Sequence, residues 1–218
     1  MTDQARIDTR LREAGATPGS VVLGPEPTPH APTPPDGPWV VMPYGAQTLV
    51  GAMGRGKFAP YATLWTDADA IDLAVRLATT APRTVPADED SIVKAGARTS
   101  AAILERTAQR GGAAAPNGLV IGDVLDAFGP DTGHHLYAAR TPFPARSQPP
   151  SDRAAELRTY RVEAPLPGTV HEGRAAPWFE QPGGGAMIVL DHPIRWYVDQ
   201  SFLVELCAEG RDDSGHLA

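Results

Sequence analysis

Ala176-Pro177-Trp178-Phe179-Glu180-Gln181-Pro182-Gly183-Gly184-Gly185 sets two aromatics and a glutamine between prolines and follows them with three consecutive glycines. Proline and glycine at this density exclude a helix, so the stretch reads as a loop or tight hairpin. The glycines reach φ > 0 and let another backbone or a ligand come close. By itself that is an ordinary glycine-rich hairpin. Around it lie short apolar segments separated by Pro and Gly: strands near Leu136, Thr159 to Glu163, Met187 to Leu190 and Phe202 to Leu206, with a brief helix near Gly122 to Phe128. The pattern predicts a compact β-rich domain over residues 116–207. Its border is Ala113-Ala114-Ala115-Pro116-Asn117-Gly118, small residues and turn formers that precede a change of apolar pattern.

Residues 1–115 predict a separate, small α/β module, so the fold class is α+β. Ile7, Leu11 and Ala14 recur at helical spacing before Gly15 and Pro18. A proline-dense connector, residues 25–38, follows and should run extended. Strands are expected at Trp39 to Met42, Gln47 to Val50 and Phe58 to Trp65. Thr66 caps a helix over Asp67 to Thr79, and a second helix runs from about Asp88 to Arg110, ending at Gly111-Gly112.

The chain has 218 residues and a formal net charge of −7. Residues 1–115 carry 11 basic and 12 acidic groups, whereas residues 116–218 carry 8 and 14. The acidic second half lacks the basic stripe that nucleic acid or anionic lipid needs, which favours a small-molecule or protein partner. All cations there are arginines, suited to phosphate recognition or simply to a composition that uses Arg throughout. The lone Cys207 sits in an apolar run and reads as a buried thiol. His134-His135 has no helical partner or carboxylate cluster to complete a metal site, so no metal is expected. No apolar run reaches the roughly 18 residues of a membrane span, and the charged N-terminus lacks a Sec signal. A cytoplasmic location or export by a signal-peptide-independent route is expected.

Three blocks stand in order in the second half: Asp126-Ala127-Phe128-Gly129 with Gly133 after it, Thr141-Pro142-Phe143-Pro144-Ala145-Arg146-Ser147-Gln148-Pro149-Pro150, and Ala176 to Gly185. Together they resemble the tuberculosis necrotizing toxin (TNT) family, whose pattern is D-R-F-G, G-x-[FY], T-P-F-x-x-R-x-[LQ]-P-P and A-P-x-F-x-Q-P-G-G-G. The first half more weakly resembles segments ahead of TNT domains in actinobacterial proteins, through Leu11 to Gly19 and Trp39 to Val41. The resemblance implies an NAD(P)+ glycohydrolase related to toxins, with NAD or NADP as substrate, no cofactor, and an immunity protein as partner. It implies Gln181 as the catalytic residue and Phe128, His135, Arg146, Gly183 and Gly184 as substrate-binding residues.

The chemistry suits these residues. Expelling nicotinamide from a pyridinium needs no general acid, so positioning dominates. The oxocarbenium-like transition state benefits from an amide that can both accept and donate around the ribose and a water. Pyrophosphate suits a guanidinium fork, as Arg146 would supply. Where the family carries Arg in D-R-F-G, this chain has Ala127. The alternative expectation is therefore a weakened domain that binds NAD or a protein, unless His135 or Arg140 takes over the role. An ADP-ribosyltransferase, for which Glu180 and Glu205 would be candidates, is the third.

Overall fold

The computed structural model describes residues 4–26 and 31–208, so residues 27–30 of the proline-dense connector lie outside the described residues. The chain forms two compact units. One holds the residues up to 81 together with 130–134 and 191–196; the other holds 82–129, 135–190 and the chain from 197.

In the first unit, α1 (Gln4–Glu13), β1 (Val21–Leu23), β2 (Trp39–Tyr44), β3 (Gln47–Gly54), β4 (Lys57–Leu64) and α2 (Asp67–Thr79) build a four-stranded sheet in the order β1-β2-β3-β4. Ile7 and Leu11 of α1 and Ala70, Ile71, Ala74 and Val75 of α2 bury their stripes against Val21, Trp39, Val41 and Val50. Thr66 caps α2 as expected, accepting from the Asp69 amide at 3.1 Å while its hydroxyl donates to the Asp69 carboxylate at 2.7 Å. Residues 130–134 and 191–196 are fastened into this unit by polar bonds: the Thr132 hydroxyl donates to the Gly37 carbonyl at 2.6 Å, and Arg195 Nη1 to the Thr80 carbonyl at 2.7 Å.

The second unit is an eight-stranded mixed sheet. Its strands are β5 (Thr84–Ala87), β6 (Ala115–Pro116), β7 (Val124–Phe128), β8 (His135–Ala138), β9 (Leu157–Val162), β10 (His171–Arg174), β11 (Ala186–Val189) and β12 (Leu203–Ala208), in the order β5-β12-β9-β7-β8-β11-β10-β6. Only β5 with β12 is parallel. The helices of the chain's second half are α3 (Glu89–Gln109), which lies on the sheet, α4 (Phe143–Arg146), a 3-10 turn at Pro150–Ala154, and α5 (Ile194–Asp199).

Two expectations are corrected. Val124–Phe128 is a central strand paired with β8 and β9 rather than a helix, because the buried Asp126 in its middle disguises the alternation. The units also do not divide at 115/116. Although α3 is a helix as expected, it belongs to the second unit: its Thr99 hydroxyl donates to Asp123 at 2.9 Å and its Arg106 grips Glu172. The Gly/Ala-rich stretch is only the loop that leaves α3, turned by Gly111 and Gly112 at φ 65° and 90°.

Two constraints hold α3 to the sheet. At Gly96 an added Cβ would stand 2.3 Å from the Ala139 carbonyl oxygen, so the helix approaches as closely as only glycine allows. At its C-terminal end, the Glu172 side chain is fully buried and receives Arg106 through Nε at 2.8 Å and Nη2 at 2.7 Å, Arg110 Nη2 at 2.9 Å and the Gly118 amide at 3.0 Å. Burial pushes the Glu172 carboxyl up, but these four donors outweigh it and hold the pKa at about 2.

Gly96→Ala is expected to destabilise the protein by about 1–3 kcal/mol in urea unfolding, because the clash with rigid backbone exceeds the roughly 1 kcal/mol helix-propensity gain. An unchanged or raised midpoint would contradict this packing. Since the Glu172 pKa is depressed on folding from 4.5 to about 2, its stabilisation is full above pH 4.5 and lost as pH falls through 2. We expect about 3 kcal/mol of acid-dependent stability across that window, absent in Glu172→Gln. Parallel acid titrations of the two proteins would refute this.

Candidate functional site

The site is built on β7 and β8. Strand alternation sends Asp126 and Phe128 to one face and Ala127 to the other. Tyr137 pairs with Asp126, and the same register continued sets His135 across from Phe128, so the half-buried His135 stands on the Phe128 face.

The Thr141-to-Arg146 block closes over this face. Pro142 starts α4, Phe143 meets Phe128 edge to face at 5.5 Å, and Arg146 turns inward. Its Nη2 donates to Asp126 at 2.6 Å and its Nε to the Thr141 carbonyl at 2.8 Å. The guanidinium lies 4.9 Å from the centre of the Phe128 ring and 5.1 Å from that of Tyr137, whose hydroxyl donates to the Arg146 carbonyl at 2.7 Å. Arg146 is 1% exposed, so two of its nitrogens serve the fold, and only Nη1, also buried, keeps no hydrogen-bond partner. Burial raises the Asp126 carboxyl above its ordinary value, opposed by Arg146 and by the Arg140 amide, which donates to it at 2.7 Å.

The glycine-rich segment lies along α4. Gly183 and Gly185 donate their amides to the Pro144 and Ala145 carbonyls at 3.2 and 2.9 Å, and Gly184 donates to Ala175 at 2.8 Å. A Cβ on Gly183, which has φ 65°, would fall 2.6 Å from the Ala175 carbonyl oxygen. The close approach at Gly183 is therefore to the chain itself, which accounts for this glycine without a ligand. Gly184, at φ 93°, meets nothing nearer than Arg174 Nε at 4.0 Å.

Just before the glycines, Trp178 and Gln181 exchange backbone hydrogen bonds of 3.3 and 2.9 Å around Phe179 and Glu180, which have φ of 50° and 59°. This is a two-residue hairpin with both central residues left-handed, a geometry that normally selects Asn-Gly. Holding two side chains there costs roughly 1–2 kcal/mol each. The turn exposes Trp178 and Phe179, stacked at 4.3 Å. It also places Gln181, whose Nε2 donates to the Gln148 carbonyl at 2.6 Å and whose buried Oε1 has no hydrogen-bond partner.

Arg146 thus stacks on Phe128, and Gln181 bonds the main chain of Gln148, two residues after Arg146, although these residues span more than fifty positions of sequence. The open groove of the second unit, about 370 Å³, lies on another side of α4, between Gly96, Ala97 and Ser100 of α3 and Thr141, Pro142 and Ala145. Arg140, the alternative cation, lines it, whereas Gln181, Phe128, His135, Arg146, Gly183 and Gly184 do not. Gln148 was not anticipated, although its place in the Arg146 block was a signal. Ala127 is 4% exposed and sits across from Arg158, which bonds Glu205 at 3.0 Å. An arginine at position 127 would project away from Phe128 and Arg146, so the expected loss of site chemistry through Ala127 has no geometric basis here. Glu205, paired with Tyr160 on that same opposite face, is equally remote.

Residues 118–206 match the family model described as tuberculosis necrotizing toxin. The conidial surface nicotinamide adenine dinucleotide glycohydrolase of Aspergillus fumigatus is 33% identical over 97 residues, 40% of this chain and 40% of that protein. The chain therefore spans about two fifths of the length of this curated relative. The solved structure of tuberculosis necrotizing toxin complexed with its immunity factor is 21% identical over 37% of this chain and 46% of that one, with a TM-score of 0.33.

Asp126→Asn, which strands the buried Arg146 charge, is expected to cost about 3–5 kcal/mol in chemical denaturation. A cost under about 1 kcal/mol, the range of exposed pairs, would show that the pair does not anchor the site.

Proposed function

We propose that residues 118–206 form an NAD(P)+ glycohydrolase that splits the nicotinamide–ribose bond to nicotinamide and ADP-ribose. The observation that carries this reading is the meeting of Gln181, Arg146 and Phe128 around α4, each from a different block of the family pattern. The family match over residues 118–206 and the likeness to a fungal NAD glycohydrolase support it.

Hydrolysis breaks the bond between the ribose anomeric carbon and the pyridinium nitrogen, and the electron pair leaves with neutral nicotinamide. Water adds to the anomeric carbon and gives its proton to solvent. Gln181, held through Nε2, offers Oε1 to orient the ribose or the water. Phe128 and His135 wall the ribose and nicotinamide, Arg146 Nη1 serves a substrate phosphate, and Gly184 leaves room for the dinucleotide. Water is the only co-reactant this needs, so no cofactor enters the proposal.

The same reading includes a toxin role, an immunity protein as partner, a signal-peptide-independent export route and an actinobacterial setting. No described helix is long and apolar enough to cross a membrane.

Purified full-length chain is expected to release nicotinamide from NAD or NADP, and Gln181→Ala to reduce the rate by about 100-fold or more. Ala127→Arg should not raise the rate, and it should lower stability by burying a second cation beside Arg158. A Gln181→Ala variant as active as the wild type would overturn the assignment.

A further inference from the structure

Arg146, Ser147 and Gln148 are 1%, 3% and 7% exposed, and each keeps a buried side-chain polar atom with no hydrogen-bond partner: Nη1, Oγ and Oε1. Gln181 Oε1 is a fourth. Native interiors seldom leave such atoms unmet, and a group of them marks a place where a ligand completes the bonding.

The polarity of both glutamines is fixed. Gln181 spends Nε2 on the Gln148 carbonyl at 2.6 Å, and Gln148 spends Nε2 on Asp152 at 3.3 Å. On each side chain the atom with no partner is therefore the carbonyl oxygen, an acceptor, while the amide nitrogen is already engaged. The hydrogen bond from Gln181 to the Gln148 main chain makes the two residues neighbours. A group that satisfies both must bring two donors. A phosphate brings none, whereas a vicinal diol brings one hydroxyl to each oxygen.

We propose that Gln148 is a second substrate-positioning residue, its Oε1 accepting from the 2′ hydroxyl of the ribose at the scissile bond while Gln181 Oε1 accepts from the 3′ hydroxyl. This rests on the glycohydrolase reading. Both oxygens are covered in the unliganded chain, so the diol reaches them by displacing part of the cover.

The test uses full-length Gln148→Leu and the longer Gln148→Met, with NAD, an NAD analogue lacking the 2′ hydroxyl of the nicotinamide ribose, and the 3-acetylpyridine analogue, which lacks the carboxamide NH2. Each variant should melt a few degrees higher than wild type, since a buried unmet acceptor is removed. Each should also lose about tenfold in kcat/KM on NAD and on the acetylpyridine analogue, and much less on the deoxy analogue. Equal losses on all three substrates, or undiminished activity with a raised melting temperature, would overturn the proposal. So would a loss that vanishes only with the acetylpyridine analogue, which would assign Gln148 to the carboxamide. If wild-type protein released no nicotinamide, the enzymatic reading would fall by itself. Calorimetric binding of ADP-ribose, expected to weaken about tenfold in both variants, would then decide on Gln148 alone, an unchanged affinity refuting it.

Discussion

The ion pair between Arg146 and Asp126 is the constraint on which the site depends. A guanidinium 1% exposed survives burial only with an anion and several acceptors, and Asp126 from β7 and the Thr141 carbonyl provide them. That pairing draws α4 onto the sheet face carrying Phe128 and Tyr137. Because Gly183 and Gly185 hang on the α4 carbonyls, the same pair sets the position of the segment that presents Gln181. Gln181 is therefore located through a chain of contacts that begins at a buried charge on a central strand.

The arginines of the second half follow the same logic. Arg140 bonds Glu89 at 2.6 Å, Arg158 bonds Glu205, Arg161 bonds Glu163 and Arg195 lies 3.4 Å from Asp131, besides Arg146 on Asp126. An acidic domain whose cations are forked guanidiniums can satisfy its own carboxylates bidentately, as Arg106 does for Glu172. The all-arginine composition thus records internal pairing, and it does not by itself point to phosphate. Arg146 Nη1 is a buried nitrogen left over after the fold has taken its share.

Sequence patterning found the amphipathic elements because their burial is local: Ile71, Ala74 and Val75 on α2 repeat with the helix, and Thr66 announces it. It could not find what non-local charge decides. Asp126 reads as a solvent-facing residue unless Arg146, twenty positions on, is inside with it, so the pattern of the strand mimics a helix. The α3 helix was recognised but separated from its own sheet, because the Glu172 cluster that binds it lies more than sixty residues away. Likewise, the parallel pairing of β5 with β12 joins segments over a hundred residues apart, beyond any turn signal. Gln181, Arg146 and Phe128 are singled out only by the resemblance of their blocks to the family pattern. That Gln181 is held by the main-chain carbonyl of Gln148 stays hidden, because a backbone acceptor carries no residue signature.

The left-handed pair Phe179 and Glu180 shows how the fold keeps a polar side chain poised. An Asn-Gly turn would adopt the same backbone with less strain, yet it would give up the Trp178–Phe179 stack that caps the hairpin. The strain is sustained because both ends of the segment are fixed: Gly183 and Gly185 on α4, and Gln181 Nε2 on the Gln148 carbonyl. Releasing the last of these lets the turn relax, whereas releasing the glycines dislodges the whole segment. The glutamine amide is thus one of the restraints that keep its own turn strained, so its orientation and the backbone conformation are set together.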